Sequence, residues 1–324
     1  MISKRALILH WVEQGLINPA RARVVMSSEG VLPDSKRWSA FIENLLTWLG
    51  MLALGFAVLF FIAYNWQAMG RFAKFGLLEM AVIASLLVYW RIDADKLTAR
   101  LSLLLASLFV GVLLAFYGQT YQTGADTWQL FANWALLILP WVLLARFATL
   151  WLLWLVLLNL SIVLYFTIRP GLFGLMFDST AQSFWQIFFI NTLAWIGWEV
   201  LAQRIVWLAV RWAIRLIAIA SGSAISTLCL IAIFDDYQLA SWVILAYLAW
   251  LGAVYFVYRT RIHDLFMLAG LCLSLIVVVT AWFGHVLREG SEPVGGFMLL
   301  TILVTGMASL ATIWLKKLHR EFVA

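Results

Sequence analysis

The chain is poor in charged residues, in cysteine and in catalytic motifs. Asp, Glu, Lys and Arg make up 12% of its 324 residues, and hydrophobic residues make up 65%. Soluble domains carry about a quarter charged residues and about half apolar ones. This shortage of charge argues against a soluble protein. The two cysteines, Cys229 and Cys272, lie inside apolar runs, where packing is the expected role and a disulfide framework is disfavoured.

The sequence lacks a nucleophile–base pair, a phosphate-binding loop and any metal-ligand spacing. Its four histidines are scattered, mostly at the ends of apolar runs: His10, His263, His285 and His319. We therefore expect no metal site, no cofactor and no catalytic residues, and an enzyme is disfavoured. The net charge of +6 requires no nucleic-acid partner, because in a membrane protein the distribution of charge matters more than its sum.

Ten apolar runs approach the length of about 20 residues that a helix needs to cross a bilayer. They lie near residues 45–64, 72–90, 98–117, 130–145, 147–168, 183–202, 213–234, 239–257, 264–285 and 295–315. The runs are continuously apolar, unlike the short alternating segments of a transmembrane barrel. The predicted fold is an all-α, polytopic transmembrane bundle of about ten spans, with the lipid bilayer as its solvent.

The positive charges give this bundle an orientation, because cytoplasmic loops concentrate Lys and Arg. With the N-terminus inside, eighteen Lys and Arg are inside and four are outside: Arg71, Lys74, Arg169 and Arg288. Both termini are then predicted to be cytoplasmic, in a multi-pass membrane protein with no cleaved leader. The count depends on a tight turn at Ala145-Arg146-Phe147.

The chain divides by pattern into three parts. Residues 1–44 are predicted to form a cytoplasmic amphipathic helical hairpin and linker, with one helix over Ser3–Gln14 and another starting at Asn18-Pro19. Residues 45–315 form the transmembrane domain, and residues 316–324 form a basic cytoplasmic tail. The hairpin is a candidate contact for a partner protein; the alternative is a packing element beside the membrane.

Two polar segments on the predicted outer side are the candidate ligand-binding site. Their residues are Asn65, Trp66, Arg71, Lys74, Glu79, Tyr117, Gln119, Tyr121, Gln122, Asp126 and Trp128. Arg71 and Lys74 would hold an anionic group, with the carboxylate of Glu79 beneath them; the structural alternative is an ion pair between Lys74 and Glu79. Recurrent Trp-Gln pairs at span starts favour either repeated hairpins around a shared cavity or an aromatic belt.

Other polar residues lie within or between the spans. Asn133, Asn159 and Asn191 are predicted to make interhelical hydrogen bonds. Pro140 breaks the backbone bonding of the fourth span, which favours either a cavity lining or a simple kink. A further set shares one helical face by spacing and predicts a short interfacial helix on anionic lipid: Arg204, Arg211 and Arg215.

Three stretches carry a resemblance to a family. They are Leu9-His-Trp-Val-Glu-Gln-Gly-Leu-Ile-Asn-Pro-Ala20, Phe60-Phe-Ile-Ala-Tyr-Asn-Trp66 and Tyr117-Gly-Gln-Thr-Tyr-Gln-Thr-Gly-Ala-Asp126. Over about residues 5–145 the chain resembles the bacterial membrane-protein family called domain of unknown function 2157. Members often carry His where Gln122 stands, so a histidine-dependent role is not implied here. The resemblance implies a multi-pass protein of the bacterial inner (cytoplasmic) membrane and no particular reaction.

Two functions are consistent with these patterns. The first is an outward-facing polar cavity that binds or transports a small solute or a lipid headgroup. The alternative is a non-transporting membrane scaffold or envelope sensor that acts through the N-terminal hairpin.

Overall fold

The computed structural model describes residues 4–32, 34–65, 67–169, 179–234, 240–290 and 293–323. The regular elements in these ranges are all helical. The twelve α-helices are α1 (Lys4–Glu13), α2 (Pro19–Ser28), α3 (Ser35–Tyr64), α4 (Arg71–Arg91), α5 (Leu97–Tyr121), α6 (Thr127–Ala145), α7 (Ala148–Ile168), α8 (Ser179–Ala202), α9 (Arg211–Phe234), α10 (Ala240–Thr260), α11 (Leu265–Gly290) and α12 (Pro293–Val323). A 3₁₀ turn, Val206–Leu208, precedes α9.

The predicted all-α membrane fold is confirmed. Within the described ranges, nine helices are long and apolar enough to cross a membrane. The sixth predicted span, 183–202, is also helical, as part of α8, but α8 is not among the nine. Its polar side chains, which include Gln186, Asn191 and Glu199, interrupt the apolar run. Polar groups of this kind are tolerated at depth where protein rather than lipid surrounds them.

Capping residues determine where α2 and α3 begin. Asn18 accepts a hydrogen bond from the backbone N–H of Ala20, and Pro19 occupies the first turn of α2, as predicted. Asp34 caps α3 by accepting from the N–H of Arg37 at 2.9 Å. Helix α3 therefore begins at Ser35, ten residues before the predicted apolar run, and continues without a break to Tyr64.

The first compact unit comprises residues 1–123 with 322–324, and its membrane part is α3, α4 and α5. Helices α4 and α5 pack along their length. Their core joins Leu78 to Phe109 and Phe116, with Ile62 of α3 completing it. At Gly55 an added Cβ would lie 2.9 Å from Leu105, so the absence of a side chain allows α3 to approach α5 closely.

The second unit comprises residues 124–321. Its first two helices, α6 and α7, form a hairpin whose turn is Arg146 in the left-handed conformation, φ 45° and ψ 42°, followed by Phe147. The tight turn predicted at this point is confirmed. Because the turn reverses the chain, α6 and α7 run antiparallel. Pro140 lies within α6, which continues through it to Ala145.

Polar contacts join the helices of the second unit. Asn191 of α8 donates a hydrogen bond to the side-chain oxygen of Asn159 on α7 at 2.8 Å, which confirms the predicted interhelical role of both residues. Asn133 is exposed. Thr192 of α8 and Ser221 of α9 are 2.7 Å apart.

The predicted interfacial helix around Arg204 is wrong. Residues 206–208 form only one 3₁₀ turn, and Arg204 precedes it, whereas Arg211 and Arg215 lie in α9. The three arginines therefore do not share one helix. Arg211 pairs with Glu199 at 2.8 Å, and Arg215 pairs with Asp264 at 2.9 Å. The spacing argument required one continuous helix, which the break after Ala202 prevents.

Candidate functional site

Three helix ends lie together at one end of the first unit. Helix α3 ends at Tyr64, α4 begins at Arg71 and α5 ends at Tyr121. Since α4 and α5 pack together and α3 packs on α5, the segments after α3 and at the end of α5 reach the same end of this three-helix group. The structure thereby brings together most of the site residues predicted in the first unit.

An aromatic cluster joins α4 to the last turn of α5. Phe75 of α4 lies with its ring centroid 4.5 Å from that of Phe116, and 6.0 Å from that of Tyr121 in a stacked arrangement. Tyr117 and Tyr121 are 4.9 Å apart and both are exposed. These contacts fix the end of α5 against the start of α4, and leave the phenol groups at the helix end.

Two basic residues lie in the first turn of α4. Gly70 is the N-cap and provides no side-chain hydrogen bond, so the first backbone N–H groups of α4 are directed out of the helix end. Arg71 is exposed, with its guanidinium carbon 5.0 Å from the ring centroid of Phe72. Lys74 has 8% of its surface exposed. The helix dipole adds partial positive charge at this end.

Glu79 lies on a different face of α4 from Lys74. Five residues of α-helix turn the side-chain direction by about 140°. Lys74 is buried on the same face as Leu78, whereas Glu79 is exposed. The structure therefore brings Lys74 and Arg71 to the helix end with the aromatic cluster and directs Glu79 away from it. The carboxylate beneath the basic residues remains a prediction.

The amide side chains of the predicted site lie at the ends of two helices. Asn65 follows α3, and its side-chain amide donates to the carbonyl of Phe61 at 2.9 Å. Gln122 caps α5 in the left-handed conformation, φ 43° and ψ 50°, and both Gln119 and Gln122 are exposed. Gln119 and Gln122 are placed where they can donate to a ligand at this helix end.

Three predicted residues are not among the described residues of the first unit. Trp66 lies outside the described residues. Asp126 and Trp128 belong to the second unit, where the indole N–H of Trp128 donates to Asp126 at 3.3 Å. Trp128 also makes an edge contact with Tyr165, at 4.9 Å between centroids. The participation of these three residues in ligand binding remains a prediction.

The part of the chain that contains this helix end matches a known protein family. Residues 9–151 match the family described as "Predicted membrane protein (DUF2157)". The resemblance inferred from the three sequence stretches is confirmed over this range, which contains α3 to α6 and all the predicted site residues. Comparisons with curated proteins and with solved structures gave no match. The chain is a membrane protein with several spans, and residues 152–324 extend beyond the DUF2157 match.

Sequence reasoning missed a second group of polar residues, in the second unit. Glu199 of α8, Arg211 of α9 and Arg261 after α10 line one cavity with Tyr258. The available signal was Glu199 itself, the one acidic residue within the predicted span 183–202. An acidic residue inside an apolar run is costly and is often functional.

Proposed function

We propose that this bacterial inner-membrane protein binds the anionic group of a small solute or lipid headgroup at the shared end of α3, α4 and α5. The observation that supports the proposal is the pair of basic residues, Arg71 and Lys74, in the first turn of α4. Backbone N–H groups and the helix dipole favour negative charge at this position. The exposed phenol groups of Tyr117 and Tyr121 provide hydrogen bonds beside it.

Each residue has a distinct role in this proposal. Arg71 is exposed and would contact the anion directly, with two parallel N–H groups available to one phosphate or carboxylate. Lys74 is buried and would contribute a charge that water screens weakly. Gln119 and Gln122 would orient the rest of the ligand. The outward-facing orientation follows from the charge asymmetry of the loops. Transport would require a second state of the protein, so binding is the activity to test first.

The test compares purified Arg71→Gln, Lys74→Met and wild-type protein in binding to vesicles of phosphatidylglycerol in phosphatidylcholine, and to soluble glycerol phosphate. Loss of a charge-assisted hydrogen bond should weaken anion binding about tenfold. Arg91→Gln is the matched control, because Arg91 is exposed at the opposite end of the same helix. Equal binding by all four proteins for both probes would refute the proposed site.

The Glu79→Gln variant distinguishes a site with the Glu79 carboxylate beneath the anion from a site that does not include Glu79. If the carboxylate lies beneath the anion, its neutralisation should tighten binding and change its pH dependence. If Glu79 faces away from the helix end, as its position on α4 indicates, anion binding should remain unchanged. The same vesicle assay measures both outcomes.

The scaffold hypothesis is favoured by exposed apolar side chains on the N-terminal hairpin. Leu16 is 71% exposed and Val24 is 66% exposed, and Trp11 is also exposed. In a hairpin of two ten-residue helices, such side chains would suit a partner protein or the membrane surface. Deletion of residues 1–34 ends before α3. A scaffold would lose its cellular function while the membrane domain still folds, whereas an anion-binding protein would retain vesicle binding.

A further inference from the structure

A groove runs between α8 and α10 in the second unit. Helix α9 packs against both of them and contributes Arg211 to the lining of the groove. The cavity has a volume of about 1020 Å³. Along most of its length it is apolar, and large side chains of α8 face three alanines of α10. These are Phe188, Ile196 and Val200 opposite Ala246, Ala249 and Ala253.

The groove is longer than the hydrocarbon thickness of one leaflet. Its lining on α8 extends from Phe188 to Gln203, which at 1.5 Å per residue is about 22 Å. The hydrocarbon core of a bilayer is about 30 Å thick, so one leaflet provides about 15 Å. A chain lying in the groove can therefore pass from the headgroup region to the middle of the membrane.

One end of the groove is polar, and a carboxylate oxygen there has no hydrogen-bond partner among the described residues. Glu199 accepts from Arg211 through one carboxylate oxygen at 2.8 Å, whereas its other oxygen is buried without a hydrogen-bond partner among the described residues. Arg261 lines the same cavity. A buried carboxylate oxygen without a donor costs free energy, so a ligand that supplies an N–H or O–H group would be stabilised here.

The aromatic wall of the groove is rigid. The indole N–H of Trp195 donates to the hydroxyl of Tyr258 at 2.8 Å, and the two rings are parallel within 2°. Because the Tyr258 oxygen accepts this bond, its own hydrogen remains to donate. Trp250 lines the same cavity with a buried indole N–H that has no hydrogen-bond partner in the described chain. The free hydrogen of Tyr258 favours a ligand that carries an acceptor near its head as well as an apolar tail.

We propose that this groove binds one membrane phospholipid. Its acyl chain lies between α8 and α10, its phosphate contacts Arg261, and an ammonium or hydroxyl group of its head donates to the free oxygen of Glu199. The charges favour this occupant: Arg211 and Arg261 exceed Glu199 by one positive charge, which disfavours an organic cation. A headgroup that carried only an anionic group, without an N–H or O–H donor, would leave the Glu199 oxygen unpaired. The site is in the second unit and does not depend on the proposed function of the first.

The experiment is native mass spectrometry of the full chain, released from nanodiscs of phosphatidylcholine that contain a minor fraction of phosphatidylethanolamine with the same acyl chains. Phosphatidylethanolamine carries the N–H donors that phosphatidylcholine lacks. We expect one retained phospholipid, enriched about tenfold for phosphatidylethanolamine, the scale of one charge-assisted hydrogen bond. Glu199→Gln should abolish the enrichment, and Arg261→Gln should reduce retention of both lipids.

A steric variant tests the acyl chain separately from the ion pair. Ala253→Leu fills the groove without altering any charge and should reduce lipid retention about tenfold. Ala308→Leu is the matched control, because Ala308 is exposed on α12 and does not line the groove. Size-exclusion chromatography establishes that each variant is folded.

Two results would overturn the proposal. One is equal retention of phospholipid by wild type and Ala253→Leu, together with equal phosphatidylethanolamine enrichment in wild type and Glu199→Gln. The other is displacement of the retained lipid by free phosphate or by a fatty acid at the same concentration, because either would show that the groove does not require a phosphate and an acyl chain in one molecule.

Discussion

The pair between Arg215 of α9 and Asp264, the residue before α11, should contribute more to stability than any exposed ion pair of this chain. The guanidinium donates to both carboxylate oxygens, at 2.9 and 3.2 Å, and lies 4.9 Å from the ring centroid of Phe266. Asp264 also accepts from the backbone N–H of Phe266 at 3.0 Å. The Asp264 side chain is 5% exposed and that of Arg215 is 37% exposed.

The magnitude follows from what each substitution leaves behind. Arg215→Met leaves a buried carboxylate with one remaining hydrogen-bond donor, the N–H of Phe266. Removing one partner of a buried ion pair costs about 3–5 kcal/mol of unfolding free energy. Because Arg215 is partly exposed, we expect a cost of about 3 kcal/mol. Asp264→Asn keeps an acceptor for Phe266 and leaves a half-exposed guanidinium, which costs about 1–2 kcal/mol. Replacing both partners with apolar residues should cost less than Arg215→Met alone.

The assay is the unfolding free energy in mixed detergent, measured together with the thermal midpoint by size-exclusion fluorescence. Arg259→Met is the matched control, since Arg259 pairs with Glu321 at 3.4 Å and both side chains are about as exposed as Arg215 or more. That variant should cost less than about 1 kcal/mol. If Arg215→Met destabilises no more than Arg259→Met, the inference from burial is wrong.

The remaining predictions concern packing, interhelical bonding and orientation. Asn191→Leu breaks the bond to Asn159 and should cost about 1 kcal/mol in unfolding free energy; an unchanged value would contradict that role. Gly222→Ala should destabilise by about 1–3 kcal/mol, because its Cβ would lie 2.9 Å from Trp250. Gly252→Ala, where nothing lies within 4 Å, should instead stabilise slightly. Reporter fusions at both termini should be active only in the cytoplasm; a periplasmic signal from either would refute the charge-based orientation.

The site in the first unit was partly predictable. Polar residues between two apolar runs had to lie near helix ends, because backbone and side-chain polar groups avoid lipid. This predicted that Asn65, Arg71 and Gln122 would lie near helix ends. The direction of each side chain was not predictable, since it depends on the rotation of α4 against α5. That rotation buries Lys74 and exposes Glu79.

The groove of the second unit lay beyond sequence reasoning. Its polar end combines Glu199 and Arg211 with Arg261, which comes from a different helix connection. No local sequence pattern links these residues, because the whole of α9 and α10 separates Arg211 from Arg261 in the chain. The carboxylate partners of Arg211 and Arg215 were not predictable for the same reason, and the contact of these arginines with anionic lipid stays a prediction.

The sequence by itself determined the class of this protein, the positions of its helices and the tight turn at Arg146. These features are local: a span must be apolar over its length, and caps and turns depend on a few adjacent residues. Only the tertiary structure decided which polar side chains meet. The pairing of Arg215 with Asp264 joins residues 49 positions apart, and it exists because the packing of α9 beside α11 excludes water from that carboxylate.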